Sequence, residues 1–151
     1  MGEKGVLVIG PGRSEGSPEY YETAIDYIAA GYSPVYVMDH RGQGLSPRLL
    51  ENHSKGHLVN FFHYINDFKM AVDKIVDDVK SRQEYNDQDF FYTSNSMGGA
   101  IGLGYFQHFS QESPFKAAAL LGSMIKVNYL SFIDKEPTKF NNLPCKSSFL
   151  N

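Results

Sequence analysis

Cysteine is almost absent from this sequence: the single thiol, Cys145, has no partner within the 151 residues. No disulfide framework can form inside the chain, and a reducing compartment, the cytoplasm, is the expectation. Excess positive charge is lacking too. Fourteen Lys and Arg stand against seventeen Asp and Glu, and the net charge of −3 leaves no broad cationic surface for a phosphate backbone, so nucleic acid is not expected as a partner. Long hydrophobic runs are also missing. No stretch approaches the roughly 20 apolar residues of a membrane span, and Val6 to Ile9 is too short for the core of a secretion signal. His53 and His57 stand four apart, but Ser54, Lys55 and Gly56 between them do not make a metalloprotease helix, so a metal is not expected.

What is present is an alternation of short apolar segments with longer amphipathic ones. Val6 to Ile9 is continuously apolar and mostly β-branched and stops at Gly10-Pro11-Gly12, the pattern of a buried central parallel strand entering a loop. Pro18 to Ala30 carries Tyr21, Ala24, Ile25 and Ile28 at helical spacing, with Gly31 as its C-terminal cap. Pro34 to Met38 reads as a second strand, followed by Asp39 and a glycine-rich loop to Pro47. From Phe61 to Lys80, the residues Ile65, Phe68, Val72, Ile75, Val76 and Val79 fall mostly on one helical face. Asp89 to Thr93 reads as a third strand, Met97 to Phe109 as a helix rich in small residues, and Ala117 to Leu121 as a fourth strand. The alternation predicts an α/β fold with about four parallel strands and flanking helices on both faces. Residues 1–133 form the expected core, and residues 134–151, with Pro137, Asn141, Asn142 and Pro144 and no periodicity, read as a loop or poorly ordered tail.

Chemistry concentrates at Ser94-Asn95-Ser96-Met97-Gly98, where a serine lies between a strand and a helix with small residues two positions to either side. A serine at so sharp a turn is held in a strained backbone conformation with its hydroxyl projecting, and bulky flanking side chains would collide with the turn. The usual pattern is G-x-S-x-G; here Ser94 replaces the first glycine and is still small. Ser96 is the candidate nucleophile. The backbone N–H of Met97, at a helix N-terminus, and that of Arg13, after Gly12 in the loop of the first strand, are the candidate oxyanion donors.

Taken in order, Gly10-Pro11-Gly12-Arg13, then Asp39-His40-Arg41-Gly42-Gln43-Gly44-Leu45-Ser46, Gly56-His57, Tyr64-Ile65-Asn66-Asp67 and Asn95-Ser96-Met97-Gly98-Gly99-Ala100 resemble the α/β-hydrolases of the bacterial lysophospholipase and monoacylglycerol lipase branch. The resemblance implies a partial α/β-hydrolase fold, an esterase reaction on an acyl-glycerol or lysophospholipid-like ester, no cofactor, and peripheral contact with the inner membrane. It marks Ser96 as nucleophile with Arg13 and Met97 as oxyanion donors. Asn95 departs from the branch's histidine and Ser94 from its glycine or alanine. The resemblance also implies a chain truncated at both ends, with the family's acid and histidine beyond its C-terminus, and hence an impaired serine ester hydrolase. The two edges of a four-stranded sheet, and a face short of helical cover, lead to an expectation of self-association or a complementing chain.

Within the chain, His40 and His57 lie near the functional edge of the sheet but read as solvated or backbone-bonded loop residues, Asp134 as a surface aspartate, and Asp39 as an ion-pair partner of Arg41 that fixes the loop. Two other readings compete. A dinucleotide-binding domain would use Gly10, Gly12, Gly16 and Asp39, but the glycines read G-x-G-x-x-x-G and Pro18 falls where the helix should run. A non-catalytic remnant that only binds is the other.

Overall fold

In a computed structural model of the chain, residues 3–82 and 87–125 are described. The tail expected over residues 134–151, Asp134 included, lies outside the described residues.

The apolar run at the start forms β1 (Gly5–Gly10), every residue of which is buried. The helix expected from Pro18 begins as a 3-10 turn, Ser17–Tyr20, with the proline in its first turn, where a missing N–H has no helical partner to lose. It continues as α1 (Tyr21–Ala29). Next come β2 (Tyr32–Val37), α2 (Phe62–Ser81), β3 (Phe90–Asn95), α3 (Ser96–Phe109) and β4 (Phe115–Leu121). All strand pairs are parallel and the order is β2-β1-β3-β4, so the strand predicted to be central is central. Consecutive strands are parallel because each pair is joined by a crossover carrying a helix.

Alternation along the strands divides the core. Val8 and Tyr92 face α2 and α3, where they meet Tyr64, Ile65, Phe68, Val72, Met97, Ile101 and Tyr105. Val6 and Phe90 continue that face against Val79. Phe68 is fully buried, its ring centroid 4.9 Å from Tyr92 and 5.1 Å from Tyr105. On the other face α1 covers only the β2 side, through Tyr27 against Tyr32 and Tyr32 against Phe91. Tyr21, Ile25 and Ile28 on α1 and Leu121 on β4 stay exposed. Among the described residues, α2 and α3 cover one face of the sheet and α1 lies on the other.

Candidate functional site

The β3–α3 junction is a turn of one residue. Asn95 ends β3 in extended backbone and Ser96 opens α3 with φ +47°, a left-handed conformation that costs a non-glycine residue about 1–2 kcal/mol. Three contacts hold it there. The Tyr92 hydroxyl donates to the Gly98 carbonyl at 2.8 Å, the Met124 amide donates to the Ser96 carbonyl at 2.9 Å, and Gly98 lies against the carbonyls of Gly10 and Pro11, where a Cβ atom would overlap both. That contact is why position 98 must be glycine, and it sets the first turn of α3 directly on the loop that follows β1. Ser94, two residues before the serine, is buried and lies in register between Gly10 on β1 and Leu120 on β4.

The loop after β1 presents three consecutive amides. Gly12 N–H donates to Glu15 Oε2 at 2.6 Å, and Ser14 N–H donates to Gln43 Oε1. Between them, the N–H of Arg13 has no acceptor among the described residues, and neither has that of Met97 in the first turn of α3. Gln43 is buried in the loop after β2, and its Nε2 lies 3.8 Å from Met97 Sδ. Glu15 Oε1 accepts from Asn95 Nδ2 at 2.9 Å. Ser96 itself is half-buried. The Gly98 contact thus sets the loop that carries Arg13 against the first turn of α3, where Ser96 and Met97 lie.

Glu15 and Gln43 were not foreseen. Neither has a spacing signal that points to its partner; a long polar side chain flanked by two glycines, at Gly42-Gln43-Gly44, is the one available hint. Burial raises the Glu15 pKa, but hydrogen bonds from Tyr20, Gly12 and Asn95 outweigh it and hold the carboxyl below its ordinary value. Burial and the bond to Glu15 push the Tyr20 phenol up to about 12.

No histidine among the described residues hydrogen-bonds Ser96. His40 is fully buried, with Nε2 3.1 Å from the Pro11 carbonyl oxygen, and desolvation lowers its pKa to about 4 against the pull of that carbonyl, Asp39 and Asp67. His57 and His53 are exposed, and His108 stacks edge-on against Phe62. Asp39 requires a correction. Arg41 turns to Asp67, which it grips through two nitrogens at 2.5 and 2.6 Å, while Asp39 accepts from Ser17 N–H at 2.5 Å, Ser17 Oγ–H at 2.9 Å and Leu45 N–H at 2.8 Å. Neighbours in sequence diverge because the turn after β2 points their side chains to different elements. A shallow depression of about 330 Å³, lined by Met38, Asp39, Arg41, Ser46, Pro47, Leu49 and Asp67, lies beside this turn and includes neither Ser96, Met97 nor Arg13. Among the described residues no group of three or more His, Cys, Asp or Glu could hold a metal ion, and no helix is long and apolar enough to cross a membrane.

A parallel sheet ordered in this way, with a serine in a strained strand-to-helix turn, is the architecture of the α/β-hydrolases. Solved structures agree. Monoglyceride lipase from Saccharomyces cerevisiae, crystallised as a soluble variant with a substrate analog, superposes with a TM-score of 0.66 at 21% identity, covering 82% of this chain and 37% of that one. Monoacylglycerol lipase of Paleococcus ferrophilus gives 0.60 at 18% identity, covering 82% of this chain and 40% of that one. The chain belongs to the family described as Serine aminopeptidase, S33, whose model matches residues 2–146. It is also 37% identical over 102 residues to lysophospholipase L2 of Escherichia coli strain K12, a match that covers 68% of this chain and 28% of that relative. This is the branch that the sequence motifs resemble.

Proposed function

We propose that the chain is a serine ester hydrolase of lysophospholipase or monoacylglycerol lipase type, acting through Ser96. The observation that carries the reading is the pair of unclaimed amides, Arg13 N–H and Met97 N–H, on the two segments that the Gly98 contact brings together beside a strained serine. In this mechanism Ser96 Oγ attacks the carbonyl of a monoacyl ester, and the oxygen that becomes negative is held by the two amides. The serine proton passes through a base to the departing alcohol, and water then releases the fatty acid from the acyl-enzyme. The lysophospholipase and lipases it is similar to support a single-chain lipid ester as substrate, and we propose the cytoplasm, at the inner-membrane surface, as its location.

Serine is a poor nucleophile without a neighbouring base, and no histidine among the described residues hydrogen-bonds Ser96. We therefore expect weak turnover from this chain by itself, with nucleophile and oxyanion hole in place. The same observation favours a second reading, a non-catalytic remnant that retains the fold. Hydrolysis of monoacylglycerol and lysophospholipid by the purified chain, compared with Ser96→Ala, tests both: slow hydrolysis lost in the variant supports the first, and identical traces support the second.

A further inference from the structure

We propose that Glu15 and Gln43 are positioning residues for the oxyanion hole, each tying a neighbour of Arg13 to a neighbour of Ser96. The inference rests on the reading of Ser96, Arg13 and Met97 given above. Glu15 takes the Gly12 N–H, just before Arg13, through Oε2 at 2.6 Å, and the Asn95 side chain, just before Ser96, through Oε1 at 2.9 Å. Gln43 takes the Ser14 N–H, just after Arg13, through Oε1. Its Nε2 meets the sulfur of Met97, just after Ser96, at 3.8 Å. The two clamps therefore bracket both the loop amide and the serine, and the only amide of residues 12–14 they leave unclaimed is that of Arg13.

The loop needs such restraint. Ser14 has φ +65°, the left-handed region that a non-glycine residue enters only when its surroundings enforce it. Left to its local preference the loop would relax, and Arg13 N–H would turn away from the oxygen it must meet. The contacts span 80 positions for Glu15–Asn95 and 54 for Gln43–Met97, so they fix one segment of the fold against another and do more than shape a local turn. The polar atoms of both side chains are engaged in these contacts. Their effect should fall on how well the developing charge is held, because an oxyanion donor displaced by a fraction of an ångström loses its bond in the transition state while substrate binding by the rest of the site is untouched.

The test uses the full chain and a fluorophosphonate, whose phosphoryl oxygen must enter the same hole as Ser96 is captured. The maximal capture rate and the half-saturating probe concentration are measured for the parent, Glu15→Gln and Gln43→Leu, with thermal unfolding recorded for each. Glu15→Gln keeps the size but replaces one accepting oxygen by a donor, and Gln43→Leu keeps the bulk but removes the acceptor. The expected result is a fall of about tenfold or more in maximal rate in both variants, with the half-saturating concentration changed less than about twofold and both variants folded. Rates equal to the parent in both overturn the inference and leave Ser96 as nucleophile standing. Loss of folding in both makes the contacts purely structural and also overturns it. No Ser96-dependent capture in the parent overturns the reading of Ser96, and the inference with it.

Discussion

Gly98 and Gly10 meet backbone to backbone: the second residue after the turn serine lies against the carbonyl at the end of β1, and no side chain fits between them. The contact joins the start of α3 to the loop that carries Arg13, so it links the fold to the candidate chemistry. Gly98→Ala should destabilise the chain by about 3 kcal/mol, the upper end for overpacking, because what it strikes is backbone and cannot swing aside. Urea unfolding measures this, and a loss under about 0.5 kcal/mol would show that the contact is slack.

Strain at Ser96 makes a prediction of opposite sign. Glycine adopts φ +47° without a Cβ penalty, so Ser96→Gly should stabilise the fold by about 0.5–1 kcal/mol while removing the hydroxyl. Ser96→Ala keeps the Cβ atom and should gain nothing. Equal stability of the two variants in denaturant melts would argue that the turn is unstrained.

His40 sets a dependence on acid. Desolvation, only partly offset by the Pro11 carbonyl and by Asp39 and Asp67, lowers its pKa from 6.5 to about 4, so the unfolded chain binds a proton that the folded chain refuses over that interval. Stability from this group is complete above 6.5 and is lost as the pH falls towards 4, by roughly 3 kcal/mol in all. Stability of the parent and of His40→Gln measured across that range should show the slope in the parent only. A parent curve flat from 6.5 to 4 would contradict the buried neutral imidazole.

Asp39 and Asp67 should differ in weight although both are half-buried carboxylates on loop or helix. Asp39→Ala removes the acceptor of three donors that tie the loop after β2 to Ser17 and should cost about 2 kcal/mol. Asp67→Ala breaks a pair with Arg41 whose side chains are 36% and 23% exposed, and screening by solvent should keep its cost below about 1 kcal/mol. Chemical denaturation in low and high salt separates the two, since the second cost alone should shrink with salt.

Much of this architecture is legible in the sequence because its signals are local. Short β-branched runs, helical periodicity from Ile65 to Val79 and the spacing of Ser94, Ser96 and Gly98 each report on a few neighbouring residues, and all four strands and three helices lie within a few residues of where these signals put them. What escapes is decided by partners far along the chain. Asp39 sits two residues from Arg41 and yet bonds Ser17, and Glu15 finds Asn95 across 80 positions. Neither choice can be read from spacing, because it depends on where β1, β2 and β3 finish once they lie side by side.

Covalent capture of Ser96 by a fluorophosphonate tests the central claim most directly. Two backbone amides that hold the developing oxyanion favour attack by the serine beside them, so labelling of the folded chain is expected, lost entirely in Ser96→Ala. A folded parent chain that labels no faster than Ser96→Ala would contradict the assignment of Ser96 as a nucleophile served by the amides of Arg13 and Met97.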